Sequence, residues 1–230
     1  MIYLPEIKNH NKLKINNILK KNLIDYVFPL NEIEQIFWND NKNYFKSKNK
    51  IRVLTKNNSS IYRCTDKIKF YKYCKKKNVP SPFASYNLDK FKHDEKIVIK
   101  ENFGPSKGLH KITNKKIIQK KNIDNIFNKP IYQKYVSGIE YSADAWMYNN
   151  NIPKALILRK RSYVEDGEAR VTKLVNNKSL EKKIFNIFKK LKLTGHANLQ
   201  FIIKNNKISV IECNNRFGGA STFSINCGID

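Results

Sequence analysis

Polar side chains alternate with apolar ones in two neighbouring segments near the C-terminus. Asn198 and Gln200 belong to the first segment, and Glu212 and Asn214 belong to the second. On buried strands such polar groups are costly unless something pairs with them. Alternation places each pair on one face of its strand. The two pairs share a face if the connecting loop has an odd number of residues, and residues 204–206 predict a three-residue hairpin loop.

These oxygen-bearing side chains could bind a divalent metal ion. A carboxylate and amide oxygens that converge on one face suit Mg²⁺ holding phosphates. A hydrogen-bonded polar cluster without a metal explains the same residues equally well at this point of the argument.

Arg216 lies two residues beyond Asn214 and is followed by Gly218 and Gly219. A fixed guanidinium beside a metal-phosphate site can stabilise the charge that develops on transferring phosphoryl oxygens. The glycines let the backbone approach a ligand closely. The alternative interpretation is an ordinary turn between a strand and a helix.

Lys100 ends an apolar strand and leads into a loop of small residues, 101–108. A lysine in this place can hold phosphates while loop amides cover them. The segment is not a Walker loop, because GxxxxGK[ST] is absent. A plain surface turn is the alternative.

Residues 133–140 join two further strands. Their backbone could bind the edge of an adenine ring, and Glu140 could accept hydrogen bonds from ribose hydroxyls. A solvated glutamate in an exposed hairpin is the alternative.

The order and spacing of these segments resemble the ATP-grasp superfamily, most closely the modules of the carbamoyl-phosphate synthase large subunit, from about residue 24 to residue 230. The resemblance implies that Gln200, Glu212 and Asn214 coordinate Mg²⁺, with Mn²⁺ as the alternative ion, and that Arg216 is the catalytic residue that steadies an acyl phosphate. The residues that it implies for ATP binding are Lys67, Lys100, Gly104, Ser106, Lys107, Gly108, Gln133, Lys134, Tyr135, Val136 and Glu140.

The sequence departs from the family pattern at two positions. Asn215 stands where the family usually has proline, which loosens the turn before Arg216. Gln133 stands where glutamate is common, although its amide can still accept a hydrogen bond from the adenine amino group.

The activity implied by this resemblance is that of an ATP-dependent ligase, which activates a carboxylate as an acyl phosphate and joins it to an amine or thiol. The expected partners are therefore a small carboxylate and an amine. One alternative is phosphorylation of bicarbonate or carbamate, as in carbamoyl-phosphate synthase. Another is a nucleotide-binding fragment without catalysis.

The implied fold is α+β, with two subdomains that grip ATP. Residues 1–63 are expected to form a partial Rossmann-like segment, and residues 64–230 an ATP-grasp domain that is incomplete at its C-terminus. Within that domain, residues 80–136 would form the lid and residues 137–230 the metal and catalytic part. Relative to the family, we expect both ends to be truncated.

Hydrophobic periodicity and turn residues predict the elements that position these side chains. Residues 7–22, 32–45, 67–77 and 180–191 are predicted helices, the third capped by Asp66. A buried strand is predicted at 24–29. The other predicted strands are 51–54, 97–100, 110–113, 131–136, 140–148, 154–161, 198–203 and 208–213.

The net charge of +26 is typical of a protein that binds nucleic acid or anionic lipid. Lysine and asparagine are nevertheless scattered along the whole chain, so we expect no nucleic-acid partner. No apolar run approaches the roughly 20 residues that a membrane span needs. The four cysteines lack CxxC spacing and predict reduced thiols in a cytoplasm. The oligomeric state is not readable from the sequence.

Other residues carry a weaker functional signal. His196 could line the carboxylate pocket, but a structural histidine is favoured. Arg159, Lys160 and Arg161, with residues 165–168 and Lys173, could bind a substrate anion or form a solvated hairpin end. Cys213 is predicted to point away from the metal face and is rejected as a ligand or nucleophile.

Overall fold

The computed structural model describes residues 2–55, 58–104, 110–118, 123, 125–148, 152–165 and 167–228. The α-helices are α1 (Lys12–Lys21), α2 (Glu32–Asn49), α3 (Asn58–Thr65), α4 (Lys67–Lys76), α5 (Lys178–Leu191) and α6 (Ser221–Asn226). Short 3-10 turns occupy Asn9–Asn11, Leu88–Lys90 and Lys115–Ile117.

The β-strands of the described residues form three sheets. The strands are β1 (Tyr26–Val27), β2 (Arg52–Val53), β3 (Ala84–Ser85), β4 (Lys96–Glu101), β5 (His110–Asn114), β6 (Pro130–Lys134), β7 (Ile139–Met147), β8 (Pro153–Glu165), β9 (Glu168–Leu174), β10 (Gly195–Lys204) and β11 (Lys207–Asn214). Strands β1 and β2 pair in parallel, whereas the other two sheets are antiparallel, in the orders β3-β6-β4-β5 and β11-β10-β7-β8-β9.

The five-stranded sheet packs one face against α4 and α5 to form the largest core cluster. Helix α5 begins after Asn177, whose side chain accepts from the amide of Leu180 at 2.9 Å. Its buried residues recur at helical spacing and form one apolar stripe: Leu180, Ile184, Ile187, Phe188 and Leu191. The opposite face of the sheet is therefore left for polar side chains.

The four-stranded sheet has a separate core. Phe91, Ile97, Ile99, Phe127 and Tyr132 are buried there together. Helix α4 connects this sheet with the five-stranded sheet, because Ile68 packs beside Ala84 and Ile131 while Phe70 and Cys74 belong to the larger core.

The N-terminal part of the chain, meaning the described residues before residue 64, corrects one prediction. The expected buried strand at 24–29 is only the two-residue β1, and Tyr26 is 55% exposed. A two-stranded sheet with helices on one side leaves its other face in solvent. The residues that do become buried here are mainly on α1 and α2: Ile15, Leu19, Phe37, Trp38, Phe45 and Ile51.

The hairpin of β10 and β11 corrects a second prediction, namely the length of its loop. Its loop is a two-residue turn at Asn205 and Asn206, with φ of 47° and 60°, and not the expected three-residue loop. The required shift of register comes from a β-bulge, because Gln200 pairs with Glu212 whereas Phe201 pairs with Val210. The extra residue is Ile211. The bulge thus produces the same alignment that the sequence analysis attributed to loop length.

Helices α3 and α6 and strands β3 and β9 were not predicted. Strand β9 occupies part of the segment interpreted as a charged loop, and it forms the edge of the larger sheet. Among the described residues, no helix is both long enough and apolar enough to span a bilayer.

Candidate active site

A cleft of about 670 Å³ is lined by residues from both antiparallel sheets. Twelve side chains or backbone positions predicted from the sequence line it. They are Lys67, Lys100, Gly104, Gln133, Lys134, Tyr135, Val136, Glu140, Gln200, Glu212, Asn214 and Arg216. Ser106, Lys107 and Gly108 lie outside the described residues. The structure therefore brings the other predicted positions together, and their roles as ligands remain predictions.

The candidate metal ligands share one face of the larger sheet. Gln200 is the cross-strand partner of Glu212, and Asn198 is the partner of Asn214. Directly opposite residues of an antiparallel pair point to the same face. The amide of Asn214 lies 3.5 Å from Glu212 Oε1. Cys213 points the other way into the core, as the alternation predicted.

The charges around Glu212 favour its ionised form. Burial raises its pKa, but the positive charges of Lys100, Lys67 and Arg161 outweigh burial, so the pKa is lowered. Burial also lowers the pKa of Lys100 to about 8, although Glu212 acts in the opposite direction. The Glu212 carboxylate thus lies in a cleft that also contains the side chains of Lys67 and Lys100.

Lys67 and Lys100 are both buried, and each is positioned by a regular element. Lys67 opens α4, and its Nζ donates to the carbonyl oxygen of Gly104 at 2.7 Å. Lys100 lies near the end of β4. Because the ammonium of Lys67 has three donors, a bond to Gly104 leaves capacity for a phosphate oxygen.

The first amides of α4 are already paired within the protein. Asp66 accepts from Lys69 N at 2.9 Å, and the Asn102 side chain accepts from Ile68 N at 3.1 Å. The helix start therefore offers a lysine side chain to a ligand. The Ile68 amide docks Asn102 of the segment that follows β4, and the Lys69 amide is capped by Asp66.

The predicted hinge runs along the edge of the cleft. Gln133 is buried in β6 between Val98 of β4 and Ala84 of β3. Glu140 begins β7 nearby, and its Oε1 lies 3.1 Å from Arg161 Nε. This ion pair holds the glutamate at the cleft wall.

Arg216 is held on both sides. Its Nη2 lies 2.8 Å from Glu32 Oε1, and its Nη1 donates to the carbonyl oxygen of Phe217 at 2.8 Å. His196 stacks on Phe217, with ring centroids 4.0 Å apart, and its Nδ1 lies 2.9 Å from the Arg216 carbonyl oxygen. His196 thus supports the segment that carries Arg216 (residues 215–220, the arginine loop) from the core, as the structural interpretation predicted.

Sequence reasoning missed the buried carboxylate of Asp144. It accepts from Arg159 Nη2 at 2.5 Å, from Asn198 Nδ2 at 2.8 Å, and from the hydroxyls of Ser221 and Ser224 at 3.2 and 2.6 Å. Burial raises its pKa, but the hydrogen bonds and the charge of Arg159 outweigh burial and hold the pKa well below its usual range. Asn198 is thereby committed to Asp144, which fits its exclusion from the predicted metal set.

The predicted charged loop at 159–168 is mostly strand. Arg159, Lys160 and Arg161 lie in β8, while Lys173 lies in β9. Arg159 and Arg161 line the cleft, together with Glu168 at the start of β9. An added Cβ at Gly219 would lie 3.4 Å from the Glu168 carboxylate, so the hairpin end approaches the arginine loop closely. The interpretation as a solvated hairpin end is wrong for these two arginines.

The donor set fits a hard divalent ion. Within the described part of the chain, no three His, Cys, Asp or Glu side chains cluster as metal ligands. The oxygen donors here are one carboxylate and two amides, which suit Mg²⁺ when phosphate oxygens and water complete the shell. This set requires a phosphate ligand to contribute part of the coordination.

Comparison with known proteins gives a family and a fold. The ATP-grasp domain family matches residues 64–220. No curated protein sequence matches the chain.

Three solved structures share the fold. Biotin carboxylase from Campylobacter jejuni, in a β-γ-ATP complex, has a TM-score of 0.76 and 15% identity, over 96% of this chain and 55% of that chain. D-alanine–D-alanine ligase from Bacillus anthracis has a TM-score of 0.67 and 16% identity, over 93% of this chain and 79% of that chain. The biotin carboxylase domain of 2-oxoglutarate carboxylase from Hydrogenobacter thermophilus was solved with MgADP and bicarbonate. It has a TM-score of 0.74 and 15% identity, over 96% of this chain and 55% of that chain. The chain thus spans about half the length of the two carboxylase chains.

Proposed function

The chain belongs to the ATP-grasp domain family, and on that premise we propose that it is an ATP-dependent ligase. It activates a carboxylate as an acyl phosphate and transfers the acyl group to an amine or thiol. One observation carries this proposal, namely that Gln200, Glu212 and Asn214 face a cleft that also contains Lys67, Lys100 and Arg216.

Relatives of the same fold support the nucleotide and the reaction type. One carboxylase structure is a β-γ-ATP complex, and another contains MgADP. A third relative of this fold is a ligase that acts on D-alanine. We propose ATP as the phosphoryl donor for this chain, bound with its adenine at residues 133–136 and its ribose at Glu140.

We propose Mg²⁺ as the resident ion, with Mn²⁺ as its substitute. Gln200, Glu212 and Asn214 would hold it. When bound, Mg²⁺ would neutralise negative charge on the phosphate oxygens.

The side chains of the cleft have different roles in this reaction. Lys67 and Lys100 bind and orient the phosphates. A carboxylate oxygen of the acid attacks the γ-phosphorus, the bond to the bridging oxygen breaks, and ADP leaves with that electron pair. Arg216 stabilises the charge on the transferring group and on the acyl phosphate.

Acyl transfer completes the reaction. The amine nitrogen attacks the acyl carbon, phosphate leaves, and the nitrogen loses a proton to solvent. Exclusion of water from the cleft during the reaction would limit hydrolysis of the acyl phosphate.

A second candidate function is phosphorylation of bicarbonate. The observation in its favour is that a carboxylase of the same fold is solved with bicarbonate and MgADP. Bicarbonate also presents a carboxylate-like oxygen to the γ-phosphate, so the same side chains would serve. ADP release that bicarbonate alone supports, with no stimulation by organic acids, would favour this function.

We retain the proposed division of the chain. Residues 1–63 form a partial Rossmann-like segment, residues 80–136 the lid, and residues 137–230 the metal and catalytic part. The separate cores of the N-terminal part and of the four-stranded sheet support this division. The four free cysteines support our proposal of a reducing, cytoplasmic location.

Replacement of Glu212 tests the proposed function. In the Glu212→Ala and Glu212→Gln variants, acid-dependent ADP release should fall about 100-fold or more, because a charge that stabilises the transition state through the metal is lost. Chelation of divalent ions should abolish the activity of the unaltered protein. A coupled ADP assay over a panel of amino and hydroxy acids measures both effects.

The matched control is Glu181→Ala. Glu181 lies in the first turn of α5, which packs on the face of the five-stranded sheet opposite the cleft. This variant should keep full activity. Undiminished ADP release in Glu212→Ala would contradict the metal assignment, and ATP binding without ADP release in the unaltered protein would show a nucleotide-binding fragment.

A further inference from the structure

Arg159 is a buried cation that the proposed chemistry does not use. Only 2% of its surface is exposed, and it lines the cleft. Its Nη2 pairs with Asp144, whereas its Nε and Nη1 have no hydrogen-bond partner among the described residues. Buried guanidinium donors without partners are unfavourable unless a water or ligand meets them.

Ser142, which lies beside Arg159 in the sheet, also has a buried polar group without a partner among the described residues. Ser142 on β7 is the cross-strand partner of Arg159, so both side chains point to the cleft face. The Ser142 hydroxyl is also buried without a partner in the described part of the chain. Two adjacent residues thus present unpaired donors, one of them charged, on the face that carries the candidate metal ligands.

The position of Arg159 separates it from the reacting phosphate. Strand β8 is separated from β10 by β7. With about 4.8 Å between neighbouring strands, the Cα atoms of Arg159 and Gln200 lie roughly 10 Å apart. A carboxylate placed for attack beside Glu212 and Arg216 is therefore distinct from a group bound at Arg159.

The acidic side chains near Arg159 are paired with cations. Asp144 compensates one end of Arg159, and Glu140 pairs with Arg161. Glu168 is the acid nearest to Gly219 at this end of the cleft, and it lies 3.6 Å from Arg170 Nη1. The acids in this region thus have cationic partners, so Arg159 can accept an anion.

We propose that Arg159, assisted by Ser142, binds a second anionic group of the acid substrate. This inference rests on the proposed ligase function and narrows its substrate class. The acid is a short dicarboxylic acid, of which one carboxylate is phosphorylated and the other is held at Arg159. A monocarboxylic acid leaves the buried guanidinium donors unmet and binds less well.

Binding is tested first, without turnover. Thermal shift and calorimetry with MgADP present compare succinate and glutarate with succinamate and glutaramate, in which one carboxylate is replaced by a neutral amide. The unaltered protein should bind the diacids about ten- to hundredfold more tightly than the monoamides, since a charged hydrogen bond is lost in the monoamides. Equal affinity for both, or no binding of either, overturns the inference.

Variants then test which residues cause the preference for the diacid over its monoamide. Arg159→Met should erase the preference for the diacid while leaving the affinity for ATP unchanged. Because Arg159→Met also leaves Asp144 unpaired, Arg159→Lys and Ser142→Ala serve as milder variants, and both should weaken the preference with less risk to folding. Retention of the full preference in all three variants overturns the inference.

Turnover separates this inference from the proposed function. ADP release should show a lower KM for the diacid than for its monoamide, and the difference in KM should disappear in Arg159→Met. If diacids bind through Arg159 but no acid supports ADP release, the ligase proposal fails while the anion site stands. If ADP release occurs without preference for diacids, the ligase proposal stands and the anion site fails.

Discussion

Asp144 connects four elements through a single carboxylate. Its partners lie 15, 54, 77 and 80 residues away along the chain, on β8, β10 and α6. A lone aspartate among apolar residues offers no sequence signal for such a role, because each partner is set by the tertiary fold. The side chains of Gln200, Glu212 and Asn214 were easier to predict as one group, since strand alternation places the polar residues of each strand on one face.

Replacement of Asp144 should destabilise the protein severely. Asp144→Asn removes the charge that compensates Arg159, and breaking a buried ion pair from one side costs about 3–5 kcal/mol. The expected fall in Tm is on the order of 10 °C for a chain of this size. Urea and thermal unfolding measure the change, with Asp89→Asn on the exposed turn at Leu88–Lys90 as a control that should shift stability by less than about 0.5 kcal/mol.

The same carboxylate predicts a pH dependence. Its pKa in the folded protein is lowered, so its stabilisation is fully present above the unfolded pKa of about 3.9 and is lost as the pH falls toward the folded value. The stability difference between the unaltered protein and Asp144→Asn should therefore shrink between pH 5 and pH 3. A difference that stays constant over this range would contradict the assignment of a charged Asp144.

The hairpin of β10 and β11 shows what the pattern of an element can and cannot predict. Alternation placed each polar pair on one face of its own strand, and the two pairs share a face in the structure. The pattern could not distinguish an odd loop from an even loop with a bulge, because both give the same register. The choice depends on the two asparagines at 205 and 206, which adopt the left-handed conformation that a two-residue turn requires.

Asn206→Val tests this turn. A β-branched residue at φ 60° should destabilise the protein by about 1–2 kcal/mol, because its Cβ crowds the following carbonyl. Chemical unfolding measures the change. Asn186→Val, on the exposed side of α5, is the matched control and should be nearly neutral, since the two residues have similar helix propensity. Equal effects of the two substitutions would show that the turn is not the cause.

Helices α4 and α5 were predictable because an apolar stripe and a capping side chain coincide in each. Strand β9 was not, because it is an edge strand whose residues are exposed or half exposed, so burial does not select an alternating pattern. Helix α3 is short and packs between α2 and α4. Its formation depends on those neighbours more than on its own sequence.

On the scale of the whole molecule, the N-terminal part contacts the arginine loop at four points. The rings of Phe28 and Phe217 lie 5.1 Å apart, and Glu32 pairs with Arg216 at 2.8 Å. Gln35 donates to the carbonyl oxygen of Asn215 at 3.2 Å, and the Asn215 side chain donates to a serine hydroxyl of α3 at 2.7 Å. The family match begins at residue 64, so these supporting contacts come from outside it.

We therefore predict that Glu32 positions Arg216. The side chains of this pair are only 10% and 16% exposed, so the pair is shielded from solvent. Glu32→Ala should lower kcat for acid-dependent ADP release about tenfold through loss of a fixed guanidinium, while the affinity for ATP stays unchanged. Glu32→Gln keeps a hydrogen-bond acceptor and should restore part of the rate.

A double-mutant cycle decides whether Glu32 acts through Arg216. If it does, Glu32→Ala should add no further loss in an Arg216→Ala background, because the group that it positions is already absent. Glu34→Ala, two residues further along the same helix, is the control and should leave kcat unchanged. Losses that add fully in the double variant would mean that Glu32 supports the protein by another route, and the N-terminal part would then stabilise the cleft without positioning its arginine.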